Sequence, residues 1–258
     1  MTKPLVIGNW KMNLDFVEGI HLMQQIGVLL KNKPVEHAEL VVAPPFVDLR
    51  SVTSVVESDK MPLTVAAQHV NSNDSGAHTG EVSAPMLRRL GVQSVLVGHS
   101  ERRAMYGMTD EVVAQTLRTI VRHGLVAVLC VGEELAVREE GTQNDFVQAQ
   151  LEAALGGLEE KFRAQVVIAY EPVWAIGTGL TATTEQVRDM TDHVRTVAAS
   201  LSLGDARVLY GGSVNAENAA SIIAEGKVDG FLVGGASLKA ESFVAIAHAA
   251  DDCYDGKR

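Results

Sequence analysis

Short apolar segments recur about every thirty residues along the chain, and longer segments with helical spacing separate them. The short segments are nearly all apolar instead of alternating with polar residues, which is typical of parallel strands covered by helices. We predict eight strands, at residues 5–7, 40–43, 63–67, 94–97, 126–131, 166–170, 207–210 and 230–233.

The segment 187–201 shows the clearest helical periodicity between two strands. Its apolar positions follow a 3.6-residue repeat and are Val187, Met190, Val194, Val197, Ala198 and Leu201. Thr183 is followed three positions later by Gln186, which predicts a capping box where this helix begins. A second stripe of the same kind consists of Leu151, Ala154, Leu155 and Leu158.

Strand–helix units repeated along 258 residues predict an α/β fold, a closed (β/α)8 barrel. An open, doubly wound sheet is the alternative, because a strand count taken from sequence does not establish closure. No polar linker, low-complexity stretch or change in composition marks a boundary. We therefore expect residues 1–258 to form a single domain.

The charge balance restricts the partners of the chain. A net charge of −10 and a pI near 5.3 argue against nucleic acid and membrane as partners, because both require a basic surface. A small anionic substrate stays compatible with this charge, since a few cationic groups in one pocket determine the local field. The first residues lack the apolar run of a signal peptide, and Cys130 and Cys253 show no recognisable pairing, so we expect a cytoplasmic protein with free thiols.

Chemically capable residues follow several of the predicted strands. The first strand leads to Lys11, the fourth to His99, and the sixth to Glu171 and a glycine-rich loop. Glycine-rich turns follow the seventh and eighth strands. Each feature alone has a simpler structural explanation, such as a solvated lysine, a structural histidine or a tight turn. Those explanations do not predict that all of them lie at the carboxyl end of the strands, where barrel enzymes build their sites.

Four strings in these loops resemble the triosephosphate isomerase family. They are Gly-Asn-Trp-Lys at 8–11, Gly-His-Ser-Glu-Arg-Arg at 98–103, Tyr-Glu-Pro-Val-Trp-Ala-Ile-Gly-Thr-Gly at 170–179 and Tyr-Gly-Gly-Ser-Val at 210–214. The likeness extends from Pro4 to about Ala247. It implies the TIM barrel and a cofactor-independent, metal-free interconversion of dihydroxyacetone phosphate and D-glyceraldehyde 3-phosphate through an enediol(ate), in glycolysis and gluconeogenesis.

The resemblance also implies a role for each catalytic residue. Glu171 corresponds to the general base, and His99 to a neutral electrophile that opens a helix. Lys11 corresponds to a fixed cation beside the developing enediolate, and Asn9 adds a polar contact. Glu101 matches a family position with a supporting role.

The phosphate group and the lid follow from the same resemblance. Gly177, Ser213, Gly234 and Gly235 correspond to the backbone amides that bind the phosphate. Residues 172–182 correspond to a lid that excludes water, with a stiff hinge at 172–174 and a mobile tip at 175–179.

A further loop, residues 71–81, is too long and polar for a simple connection, and it carries Thr79. A surface excursion is one interpretation. The matching loop of the family inserts into a second subunit, so the resemblance implies a homodimer. The sequence departs from the family's usual pattern at His69, His78, Met105 and Leu180, which bears on loop motion and dimer strength.

Other functions fit less well. Residues 177–182 match a dinucleotide-binding pattern, but six residues separate them from the preceding strand end at Tyr170. His99-Ser100-Glu101 matches half of a zinc deaminase signature, and the cysteine half is missing. A binding or scaffold barrel without activity stays open. Pentulose-phosphate epimerases, the nearest enzymatic alternative, lack the string around Glu171.

Overall fold

In the computed structural model, which describes residues 2–177 and 180–255, eight parallel strands form a closed barrel in the order of the sequence. The strands are β1 (Leu5–Asn9), β2 (Glu39–Ala43), β3 (Thr64–Ala67), β4 (Ser94–Val97), β5 (Val126–Val131), β6 (Val166–Tyr170), β7 (Val208–Tyr210) and β8 (Gly230–Val233). The helices are α1 (Phe16–Asn32), α2 (Leu49–Ser58), α3 (Ala84–Arg89), α4 (Ser100–Tyr106), α5 (Asp110–Arg122), α6 (Leu135–Glu139), α7 (Gln143–Leu155), α8 (Thr184–Ser200), α9 (Ala219–Gly226) and α10 (Ala240–Asp255). Within these ranges, no helix has both the length and the apolar composition needed to cross a membrane.

The barrel closes where β1 pairs in parallel with both β2 and β8. Leu5 lies opposite Glu39 on one side and Gly230 on the other. At Gly230 the backbone has φ of 143°, and a Cβ there would lie 1.9 Å from the carbonyl oxygen of Leu5. Only glycine tolerates this approach. Closure confirms the predicted (β/α)8 barrel and excludes the open sheet.

Apolar residues cover both faces of the strands, as the continuous apolar segments predict. Residues that point into the barrel form one cluster, which consists of Leu5, Ile7, Val41, Ala43, Ala66, Leu96, Val128, Cys130, Val167, Ala169, Leu209 and Leu232. Their neighbours in the strands, such as Val6 and Val42, point outward and pack with the helices in a second, larger cluster. This division follows from the two-residue repeat of a strand.

Most strand boundaries agree with the sequence prediction. The strands β4, β5, β6 and β8 have the predicted bounds. The strand β1 continues through Gly8 to Asn9, while β2 begins one residue earlier, at Glu39. The strands β3 and β7 each begin one residue later, at Thr64 and Val208. Asn9 and Glu39 are polar, so the hydropathy pattern does not include them.

The predicted capping box is confirmed at the start of α8. Thr183 donates its backbone N–H to Gln186 Oε1 at 2.9 Å, and Gln186 donates its own to Thr183 Oγ1 at 3.2 Å. The stripe on α7 is only partly helical, because the helix ends at Leu155. Gly157 adopts φ of 74° beyond that end, so Leu158 is buried from a turn and not from the helix.

Asp251 on α10 holds the segment that leads into β2. Its carboxylate accepts backbone N–H groups from Glu36, His37 and Ala38, at 3.0, 2.7 and 2.7 Å. Burial raises the pKa of Asp251, but the three donated N–H groups together lower it by more, so it lies below its usual value. The interaction fastens the last helix to the first strand–helix unit.

We expect Asp251→Ala to lower the free energy of unfolding by about 3 kcal/mol, because three backbone donors lose a charged acceptor. The folded-state pKa is depressed, so the contribution is fully present above the unfolded pKa, near ~4, and is lost as the pH falls through the folded pKa. Urea unfolding at several pH values measures both effects. The control is Asp252→Ala, since Asp252 is exposed on the same helix. An equal loss in both variants, or a difference unchanged in acid, would contradict this assignment.

Candidate active site

A cavity of about 500 Å³ lies at the carboxyl end of the strands. Eight of the residues singled out from the sequence line it, namely Asn9, Lys11, His99, Glu171, Gly177, Ser213, Gly234 and Gly235. They follow β1, β4, β6, β7 and β8 along the chain, and the closed barrel brings them together.

Glu171 directly follows β6, and its side chain is 2% exposed. One carboxylate oxygen, Oε2, accepts the backbone N–H of Ser100 at 3.0 Å. The other, Oε1, lies 3.2 Å from His99 Nε2. Carboxylate and imidazole therefore adjoin each other at the wall of one cavity.

His99 is the N-cap residue of α4, as the sequence predicts for a histidine that opens a helix. Its Nδ1 accepts the backbone N–H of Glu101 at 3.2 Å. A ring nitrogen that accepts a hydrogen bond carries no proton. The neutral ring consequently holds its proton on Nε2, the atom that faces Glu171.

Lys11 provides a cation that also lines the cavity. Its Nζ lies 2.6 Å from Glu101 Oε1, while Glu101 Oε2 lies 3.7 Å from His99 Nδ1. Glu101 does not line the cavity, but its carboxylate lies between the side chains of Lys11 and His99. The backbone N–H of Lys11 donates to Asn9 Oδ1 at 3.0 Å.

Two of the glycines singled out for phosphate binding, Gly234 and Gly235, directly follow β8. Gly234 immediately precedes a short 3-10 helix that runs from Gly235 to Leu238. The amides at the start of this turn are available to an anion. The Ser213 hydroxyl donates to the carbonyl oxygen of Ala175 at 2.9 Å, which connects the loop after β7 to the lid segment.

Two glycines create the space that Glu171 occupies. A Cβ on Gly132, just after β5, would lie 1.7 Å from the carbonyl oxygen of Glu171. A Cβ on Gly211, just after β7, would lie 2.9 Å from Glu171 Cγ. Gly132 thus leaves room for the backbone of Glu171, and Gly211 leaves room for its side chain.

The sequence analysis missed Glu133, a fully buried carboxylate after β5. Its Oε1 accepts hydrogen bonds from Trp174 Nε1 at 2.8 Å and Tyr170 Oη at 3.1 Å. Its carbonyl oxygen accepts the backbone N–H of Val173 at 3.1 Å. Glu133 thereby anchors the start of the predicted lid. A carboxylate at a strand end, the signal that singled out Glu171, also occurs here.

Both ends of the predicted lid lie within the described residues. Residues Val173–Ala175 form a 3-10 turn, and α8 begins at Thr184. Thr178 and Gly179, which belong to the predicted tip, lie outside the described residues. Leu180 is exposed.

Thr79 is not part of the cavity. It lies exposed in the loop at 71–81, which hydrogen bonds fasten to α5. Thr119 Oγ1 donates to the carbonyl oxygen of Ser72 at 2.9 Å, and Asp74 Oδ1 accepts from Arg122 Nη2 at 2.9 Å. Ser72 and Asp74 are therefore held against α5, and residues 73–81 are exposed.

Among the described residues neither cysteine forms a disulfide, and Cys130 lies close to the site. Cys130 points into the barrel and is fully buried. Its burial first, and the charge of Glu171 second, raise the pKa of the thiol well above its usual value. Cys130 therefore fills space beneath the carboxylate as an uncharged group.

The chain matches known proteins along nearly its whole length. A sequence model of the triosephosphate isomerase family matches residues 4–250. The triosephosphate isomerase of Nocardia farcinica is 47% identical over 249 residues, 95% of each chain. Those of Saccharopolyspora erythraea and Mycobacterium tuberculosis are also 47% identical over 249 residues, with the same coverage. The matched region includes every strand and every residue that lines the cavity.

We expect Gly132→Ala to lower the free energy of unfolding by about 3 kcal/mol, because the new methyl group overlaps the Glu171 backbone. Gly204→Ala is the matched control, since its nearest neighbour would be Ala199 Cβ at 3.8 Å, an ordinary contact. There we expect a change within about 0.5 kcal/mol. Urea unfolding compares the two variants. Equal stability would contradict the prediction, because it would show that the Glu171 backbone can shift away from the new methyl group at little cost.

Proposed function

The chain belongs to the triosephosphate isomerase family, and we propose that the cavity containing Glu171, His99 and Lys11 is its active site. The protein is an aldose–ketose isomerase, which interconverts dihydroxyacetone phosphate and D-glyceraldehyde 3-phosphate in glycolysis and gluconeogenesis. The observation that carries the site assignment is the meeting of a buried carboxylate, a neutral imidazole and a lysine at the wall of one cavity.

In this proposal Glu171 is the general base. Its carboxylate takes a proton from C1 of dihydroxyacetone phosphate, and the C–H electron pair forms the C1=C2 bond of an enediolate as the C2 carbonyl oxygen becomes negative. The C2 oxygen then gains a proton and the C1 hydroxyl loses one, so that C1 becomes the aldehyde carbon as Glu171 returns the carbon-bound proton to C2, which gives glyceraldehyde 3-phosphate. The distance of 3.2 Å between Glu171 Oε1 and His99 Nε2 supports this role, because base and acid then reach neighbouring atoms of one substrate.

His99 acts as the electrophile. Its Nε2–H donates a hydrogen bond to the substrate oxygens, and this bond strengthens as negative charge develops on them. The backbone N–H of Glu101 supports the assignment, because it fixes the ring tautomer by occupying Nδ1. The acid and the base therefore keep separate roles although they adjoin each other.

Lys11 and the loop amides bind the negative charges. The Lys11 ammonium stabilises the enediolate, with Asn9 as a polar neighbour, and Glu101 supports both Lys11 and His99. The amides of Gly177, Ser213, Gly234 and Gly235 bind the phosphate. Since the whole chain carries a charge of −10, these local groups must supply the attraction for an anionic substrate.

We expect Glu171→Gln to lower kcat by about 10³-fold or more, because an amide does not accept the carbon-bound proton. A coupled spectrophotometric assay with glyceraldehyde 3-phosphate measures the rate. Glu160→Gln, at an exposed position on the segment before β6, is the control and should keep the parent rate. A folded Glu171→Gln variant with near-parent kcat would remove Glu171 from the mechanism.

We further propose that the protein is a homodimer and that Thr79 contacts the second subunit. Large apolar side chains stand exposed on the segments after β1, β2 and β3 and at the end of α4. They are Met12 (92% exposed), Val47 (79%), Met86 (54%) and Tyr106 (67%). These segments follow four neighbouring strands, so the side chains belong to one region of the surface. An apolar region of this kind marks an interaction surface.

We expect sedimentation equilibrium to give a mass of about 55 kDa, twice the chain mass of 27.6 kDa. The double variant Val47→Glu/Met86→Glu should shift the mass toward that of one chain, because it would bury two charges in the interface. Val28→Glu is the control, since Val28 is exposed in the second half of α1, where the helix leads back to the amino end of β2 and away from the carboxyl ends of the strands. A parent mass near 27.6 kDa with full activity would refute the dimer.

The cytoplasm is the compartment that we propose. Two cysteines without a disulfide between them suit a reducing environment, and so does a reaction of central sugar metabolism.

A further inference from the structure

The backbone of Lys11 adopts an unusual conformation. Its φ is 54°, in the left-handed region that residues with a side chain rarely occupy. Leu14, three residues later, has φ of 70°. Such a conformation persists only where surrounding contacts hold it. The segment between β1 and α1 therefore needs external support.

Gln68 supplies support at this point. It directly follows β3, and its Nε2 donates to the carbonyl oxygen of Lys11 at 2.8 Å. The same nitrogen donates to the carbonyl oxygen of Ala43, the last residue of β2, also at 2.8 Å. One amide group thus connects the ends of three neighbouring strands.

The peptide groups on both sides of Lys11 are consequently fixed. On the amino side, the Lys11 N–H donates to Asn9 Oδ1 at 3.0 Å. On the carboxyl side, Gln68 donates to the Lys11 carbonyl oxygen. The stem of the lysine then passes the end of β8, where a Cβ on Gly234 would lie 3.6 Å from Lys11 Cε.

We infer that Gln68 is a positioning residue, which holds the Lys11 backbone in its left-handed conformation and so directs the ammonium group into the cavity. The inference rests on the proposed role of Lys11 in charge stabilisation. It assigns to Gln68 a part in the reaction although Gln68 does not line the cavity.

The chemistry of the contact requires an amide at this position. Both partners of Gln68 are carbonyl oxygens, so the side chain must present two hydrogens from one end. A glutamate would face those oxygens with a carboxylate when ionised, and it would donate a single hydrogen when protonated. A methionine has a similar size and donates none.

The first experiment compares Gln68→Met with a matched control, Gln165→Met. In its hydrogen-bonding orientation the Gln165 amide also donates to two backbone carbonyl oxygens, those of Leu125 and Val121, at 3.3 and 3.2 Å. It lies before β6, at the other end of the barrel. We expect both variants to lose thermal stability, and only Gln68→Met to lose kcat/KM, by about 10-fold to 100-fold.

The second experiment tests whether Gln68 acts through Lys11. The coupled assay measures kcat/KM in the parent, Gln68→Met, Lys11→Met and the double variant. We expect Gln68→Met to lower kcat/KM in the parent background and to change nothing further when Lys11 is already methionine. An equal loss in both backgrounds would overturn the proposal. Parent-like catalysis by Lys11→Met would instead contradict the role of Lys11 itself.

Gln68→Glu gives an independent reading if the methionine variant does not fold. Its kcat/KM, divided by that of the parent, should rise as the pH is lowered from about 8 to about 5.5, because protonation restores one donated hydrogen bond. A ratio independent of pH, together with φ of Lys11 unchanged in a crystal structure of the variant, would overturn the proposal.

Discussion

Closure of the barrel between β8 and β1 is the constraint on which the site depends. Parallel pairing along the whole circle places every carboxyl end of a strand at one rim. Asn9 at the end of β1 and Gly234 after β8 are distant in sequence, yet they line the same cavity. The closure requires the contact of Gly230 with the Leu5 carbonyl oxygen, which a side chain would prevent. Gly230, which does not line the cavity, therefore determines whether β1 and β8 can pair and bring Asn9 and Gly234 together.

Two buried carboxylates follow neighbouring strands at this rim, and they have different surroundings. Glu171 after β6 faces the cavity, and Glu133 after β5 faces the start of the lid. A buried carboxylate is stable only where hydrogen bonds replace its water. Glu171 receives one from Ser100, and Glu133 receives bonds from Tyr170 and Trp174. Buried, hydrogen-bonded carboxylates thus lie both in the proposed active site and at the start of the predicted lid.

The groups proposed to react are held by hydrogen bonds that involve the backbone and by close approach of neighbouring loops. A backbone N–H fixes the tautomer of His99, and the Gln68 amide holds the backbone of Lys11. Glycines at 132 and 211 admit Glu171 between their strands. Gln68 and these two glycines lie outside the strings around Lys11 and Glu171, whereas Glu101 belongs to the same string as His99. Accurate placement of a catalytic group depends on such supporting contacts.

The amino-acid sequence alone determined the number of strands, the bounds of four of them and the capping box at Thr183, because these features depend on patterns within a few residues. It also placed His99, Glu171 and the glycine turns after strands, and parallel strands bring such positions to one rim. Only the tertiary structure decided that the sheet closes, that Leu158 is buried from a turn, and that Glu133 binds Trp174. It alone revealed that Gln68 reaches Lys11 across 57 residues of chain. A contact between distant residues depends on how whole elements pack. The residues around Gln68 and around Lys11 contain no local sequence pattern that predicts this contact.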